Sequence, residues 1–198
     1  MKSFFERPEK CKACGGVCCL RSGCDYHPAD FENMTFDYLK KRLDEKEISI
    51  VSLNSITKEG EKIKSNIVLY LRARNTRKDI VDLISKKTTC MMLTENGCKY
   101  SMDNRPTGGV LFIAMDDGCY QIYPPEEFVC DWLKHQEVLE KLIKHITNNS
   151  FEKEYNREVK VLMEELRQDA IDHKSGKRKL DAETLAVMQT LKIQGYIN

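Results

Sequence analysis

Apolar positions along this chain follow two different spacings, and the change comes near Glu126. Before it, apolar residues sit mostly in short runs. Ile48 to Leu53 is rich in β-branched residues and alternates loosely, and Ile67-Val68-Leu69-Tyr70-Leu71 is the strongest strand pattern in the chain. The charged segment Thr57 to Ser65, which contains Gly60, reads as a turn between those strands. A short helix is predicted at Pro28, and another from Thr35 to about Glu45, with Phe36, Leu39 and Leu43 on one face. From Glu126 onward the spacing is helical. Phe128, Trp132, Leu139, Leu142, Ile143 and Ile146 form one stripe, broken at Asn148-Asn149-Ser150. Tyr155, Val159, Leu162, Met163, Leu166 and Ala170 form a second. A basic turn from His173 to Lys179 leads to a last helix, capped by Asp181 and carrying Leu185, Met188 and Leu191. The pattern predicts an α+β fold: residues 1–130 with a few short strands, then residues 131–198 as helices packed on them. The narrow stripes of the last helices leave room for a protein partner there.

Charge excludes little. The chain has 198 residues, with 32 Lys and Arg against 31 Asp and Glu, so nothing indicates a nucleic-acid partner. No apolar stretch approaches the roughly 18 residues of a membrane span, and the N-terminal residues do not resemble a signal peptide. The expected location is the cytoplasm, where thiols stay reduced.

The cysteines change the picture. There are 9, an odd number, so they cannot all pair as disulfides within one chain. Five of them, Cys11, Cys14, Cys18, Cys19 and Cys24, lie within one short stretch together with Gly15, Gly16 and Gly23. Thiolates brought so close repel unless a metal neutralises them, and the Cys11–Cys14 spacing lets one turn of backbone present two sulfurs to one ion. A second block holds Cys90 and then Cys98, which follows the turn signal Asn96-Gly97. Cys119 again follows a glycine, Gly118. The expected ligands are Cys11, Cys14, Cys18, Cys19 and Cys24 from the first block, with Cys90 and Cys98 as distal ligands and Cys119 beside them. Cys130, next to Trp132 at a helix start, reads as a buried structural thiol. Two zinc sites, an iron–sulfur cluster with spare thiols, or one of each fit this inventory.

The pattern Cys11-x2-Cys14-Gly-Gly-x-Cys18-Cys19, followed by Cys90-x2-Leu93-x3-Gly97-Cys98-x-Tyr100 and Arg105-Pro106, resembles the zinc- or iron-chelating cysteine-cluster proteins called YkgJ-like. The resemblance covers about residues 11 to 120 and implies metal chelation. That family carries a cysteine shortly after the Arg-Pro; here the position reads Thr107-Gly108-Gly109, and Cys24 is an extra thiol available to replace it. A looser similarity links the cysteine arrangement to bacterial flagellin lysine N-methylases, which sets a protein-modifying enzyme beside a zinc-stabilised adaptor as alternatives. Arg72 and Arg74, after the second strand, are candidates to grip an anion, and Arg105 to donate hydrogen bonds to sulfur. His27 is a further candidate ligand. No phosphate loop, nucleophile elbow or His-Glu metalloprotease helix is present.

Overall fold

The structure, a computed structural model, describes residues 19, 23–59, 62–75, 79–84, 89–95, 97–110, 112–115, 118–121, 130–177, 179–180 and 182–193. The fold is α+β, built around one antiparallel hairpin, β1 (Ile48–Glu59) and β2 (Lys62–Ala73). Its register runs from Ile48↔Ala73 to Glu59↔Lys62. The strands therefore continue through most of Thr57 to Ser65, where the charge pattern predicted a turn. The reason is in the same residues: Ile56, Thr57 and Ile63 are β-branched and alternate with charge, which suits a ladder reaching into solvent.

The inner half of the hairpin is buried on both faces. Ile48, Ile50 and Val51 on β1, and Val68 to Leu71 on β2, all lie in the core. Both edges are extended by short segments. On the β1 edge, residues 80–82 bond to Ile50, whose N–H donates to the Ile80 carbonyl at 2.7 Å and whose carbonyl accepts from Asp82 at 2.9 Å. On the β2 edge lie residues 24–26, where Tyr26 N–H donates to the Leu71 carbonyl and Ala73 N–H to the Cys24 carbonyl.

Helix α1 (Phe36–Asp44) buries Leu39 and Leu43, as its periodicity predicts. Asp37 in the first turn and Lys41 and Arg42 in the last complement its dipole. After Cys98 come two small elements, the one-turn helix α2 (Thr107–Val110) and the hairpin β5–β6 (Phe112–Met115, Gly118–Gln121). They follow the miniature hairpin β3–β4 (Leu93–Thr94, Gly97–Cys98), which turns at Glu95-Asn96.

The C-terminal helices cover the hairpin. A 3-10 turn (Asp131–His135) leads into α3 (Gln136–Thr147), which ends at Asn148 in the left-handed conformation (φ 58°). Trp132 is fully buried and its indole N–H donates to the Tyr26 carbonyl at 2.8 Å. The Gln136 side chain acts as one more rung on the β2 edge, accepting from Leu69 N–H at 2.8 Å and donating to the Leu69 carbonyl at 2.9 Å. Helix α4 (Phe151–Lys174), capped by Ser150, buries Tyr155, Val159, Leu162 and Leu166. Helix α5 (Ala182–Ile193) adds Leu191. Residues from the hairpin, α1, α3, α4 and α5 form one continuous apolar cluster. Among the described residues, no helix is long and apolar enough to cross a membrane.

Candidate metal centre

The end of β2 is where the two cysteine blocks come together. Arg72 forms a bridge with Asp25, and Asn75 forms one with Cys90. Met91 N–H donates to the Arg74 carbonyl, so residues 90–91 run alongside 74–75 as 24–26 run alongside 71–73. The two blocks also bond directly: Cys90 N–H donates to the Cys19 carbonyl at 2.7 Å. A second link joins their side chains, because the hydroxyls of Tyr26 and Tyr100 stand 2.9 Å apart. Burial and this phenol pair hold both hydroxyls protonated well above the ordinary tyrosine range.

Cys19, Cys24 and Cys90 are buried, and Cys98 is half-buried opposite Leu93. Cys11, Cys14 and Cys18 lie outside the described residues. The backbone of Cys119 pairs with Ala114 across β5–β6. Among the described residues, no three His, Cys, Asp or Glu side chains converge on one point. Cys130 differs from the expectation: it is exposed, while Trp132 is fully buried. At roughly 100° per residue, two positions two apart on a helical turn face nearly opposite ways, so burying the larger indole turns the thiol out.

Cys24 has a specific environment. Helix α2 presses its backbone against residues 24–25, with Gly108 N–H donating to the Asp25 carbonyl at 2.9 Å. A Cβ at Gly108 would lie 2.5 Å from that carbonyl oxygen, and one at Gly109 only 2.6 Å from the Cys24 Sγ. Only glycine permits this approach. The stem of Arg105 lies against the same point, its Cγ and Cδ 2.9 and 3.0 Å from where the Gly109 Cβ would be. The buried Arg105 Nε has no hydrogen-bond acceptor among the described residues. Thr107 ties the turn down through its N–H, which donates to Asp30 at 2.9 Å.

The arginines proposed to grip an anion are placed differently from one another. Arg72 donates through Nε to Asp25 at 2.8 Å and through its terminal nitrogen to the Tyr70 hydroxyl. Burial opposes its charge, but Tyr70 and Asp25 outweigh that and keep it protonated above its ordinary range. It serves as an internal ion pair bracing the strand that carries Cys24. Arg74 lies on a cleft of about 330 Å³ that also includes Lys46, Asp79 and Arg157, away from the thiols described above. His27 uses both ring nitrogens elsewhere: Nδ1 accepts from Ala29 N–H at 3.1 Å, and Nε2 meets Asp131 at 2.8 Å. That hydrogen bond holds the Asp131 carboxyl below its usual range.

Residues that sequence reasoning passed over include Tyr26 and Gln136, which fasten the Cys24 segment and the α3 start to β2. Comparison with known proteins returns no matching family model, no matching curated protein and no matching solved structure.

The donor set suits a thiophilic metal. Buried thiols, a glycine cradle around one of them and a buried N–H lacking an acceptor fit zinc or an iron–sulfur cluster better than a hard cation.

Proposed function

We propose that this chain is a cysteine-cluster protein that binds zinc or an iron–sulfur cluster between its two cysteine blocks. The observation that carries the reading is the Cys90 N–H bond to the Cys19 carbonyl, which sets the second block beside the first. The resemblance to the YkgJ-like pattern supports it independently. The ligands in this reading are Cys19, Cys24, Cys90 and Cys98, together with Cys11, Cys14 and Cys18, with Cys119 as a further candidate. Arg105 takes the role of hydrogen-bond donor to sulfur. Bound there, the centre would tie the two blocks together and, as a cluster, would supply one-electron chemistry. Thiolate ligation requires reduced cysteines, so the reading places the chain in a reducing compartment such as the cytoplasm. Val161, Ile171 and Leu185, exposed on α4 and α5, support a protein partner on the helical side.

Anaerobic purification followed by metal analysis tests the reading. Cys14→Ser and Cys90→Ser should each lower the metal content, and Cys130→Ser should leave it intact. A brown protein with visible charge-transfer absorbance identifies a cluster; a colourless, metal-loaded one identifies zinc. A chain that takes up neither zinc nor iron, or one in which Cys90→Ser binds as fully as the parent, overturns the reading.

A further inference from the structure

The inference concerns which residue closes the centre on its α2 side, and it rests on the metal reading above. The Cα–Cβ direction at Gly109 points at the sulfur of Cys24, and a Cβ built there would fall 2.6 Å from that sulfur. That is far inside any non-bonded contact and close to a covalent one. A thiol carried by residue 109 and the thiol carried by residue 24 would therefore fill nearly the same volume. The two positions reach it from different elements: residue 24 from the segment paired with the β2 edge, residue 109 from α2.

We propose that positions 24 and 109 are alternative anchors for one ligand sulfur, and that this chain supplies that sulfur from Cys24 while Gly109 keeps the space open. Two further observations point to a charged sulfur there. The Cys24 residue is 8% exposed, so a bare thiolate would be strongly disfavoured without a cation. The buried Arg105 Nε, whose stem touches the same point, has an N–H without an acceptor among the described residues, and a metal-bound thiolate supplies one. The Gly23 backbone, which could not carry a Cβ because the Ala73 carbonyl would lie 2.6 Å away, fixes the approach of Cys24 to this spot.

The test moves the sulfur. The parent chain, Cys24→Ala and the double variant Cys24→Ala/Gly109→Cys are loaded anaerobically, once with zinc and once with ferrous iron and sulfide. Metal per chain and its retention against a chelator are then measured. Cys24→Ala should lose metal or hold it at least about tenfold more weakly, as expected for loss of a ligand. The double variant should regain most of that loss, the flexible Arg105 stem giving way to the new Cβ. A metal-free arm covers the case in which a variant loads poorly for other reasons. Gly109→Cys alone, treated with diamide, should form a 24–109 disulfide, identified by peptide mass; diamide takes up the two electrons and two protons the thiols lose.

Full metal retention in Cys24→Ala overturns the proposal. So does a double variant no better than Cys24→Ala, and so does the absence of a 24–109 disulfide. A parent chain that binds neither metal fails before any variant is compared, and overturns the function together with this assignment.

Discussion

Glu158 gives the chain a pH-dependent stability that can be worked out from its surroundings. It lies on α4 and accepts a hydrogen bond from Ile84 N–H at 3.0 Å through one oxygen. Its other oxygen is buried without a partner. Burial pushes its carboxyl up to about 7; the backbone N–H groups of Ile84 and Leu83 pull it down, and the charges of Asp82 and Glu154 push it up again. The folded chain therefore binds this proton more tightly than the unfolded chain does. The stability it contributes is fully present below about pH 4.5 and is lost as pH rises through about 7. At roughly 1.4 kcal/mol per tenfold, the rise from the unfolded value amounts to about 3 kcal/mol. Glu158 lines a cleft of about 250 Å³ with Asp79, Arg157 and Glu165. Water there trims the effect to roughly 2 kcal/mol. Glu158→Gln keeps the acceptor for Ile84 and removes the titration. Urea unfolding of both proteins at pH 5 and pH 8 measures the effect. The parent should lose about 2 kcal/mol more than the variant between those pH values, and taking the difference cancels every other titrating group. Parallel pH profiles for the two proteins would refute the reasoning.

Three other substitutions probe the frame around the cysteines. Trp132→Phe keeps a ring in the core but leaves the buried Tyr26 carbonyl without its donor, and should cost about 1–3 kcal/mol in chemical denaturation. Arg72→Ala leaves Asp25, whose side chain is 15% exposed, as an unpaired buried charge. It should destabilise the fold by about 3–5 kcal/mol, and Arg72→Lys should rescue little, because an ammonium cannot span Asp25 and Tyr70 as the guanidinium fork does. Arg105→Met preserves the apolar stem beside Gly109 and removes the donor. It should weaken metal retention about tenfold with little change in the unfolding midpoint of the metal-free chain.

Where the sequence signal was local, it was legible. Phe36, Leu39 and Leu43 marked α1 to within a residue of each end, and the break at Asn148 to Ser150 separates α3 from α4 as expected. The Asn96-Gly97 signal marks the turn of the β3–β4 hairpin. The outer hairpin was missed because its charges read as solvent-exposed turn, while the pairing that makes them strand lies on the opposite strand. The placement of Cys24 was not legible for a related reason. It depends on the edge of β2, about fifty residues later in the chain, and on α2, later still, and no local pattern announces either partner. The paired glycines after Arg105-Pro106 were visible, but nothing in the sequence alone says whether a glycine spares a turn or makes room for a neighbour's sulfur.

The way the cysteine blocks are held bears on what metal does for this chain. In a small metal finger, the ion assembles ligands that nothing else holds, and the free chain is unfolded. Here the Cys24 segment is fastened to β2 by the backbone bonds of Tyr26 and Ala73, and to the helices by the Trp132 indole. The Cys90 segment is fastened through Asn75 and Met91 to the end of the same strand. β2 is buried in a core that includes α1, α3 and α4, so its position does not depend on the thiols. The loop entropy of bringing residue 19 to residue 90 is thus largely met by sheet pairing before any ligand binds. For the proposed centre, the consequence is a site assembled in advance. Stripping the metal should lower the melting temperature by several degrees while leaving one cooperative transition, because the hairpin core remains. A metal-free chain that lost its far-ultraviolet circular dichroism altogether would show that the thiolates, and not β2, hold the two blocks in place.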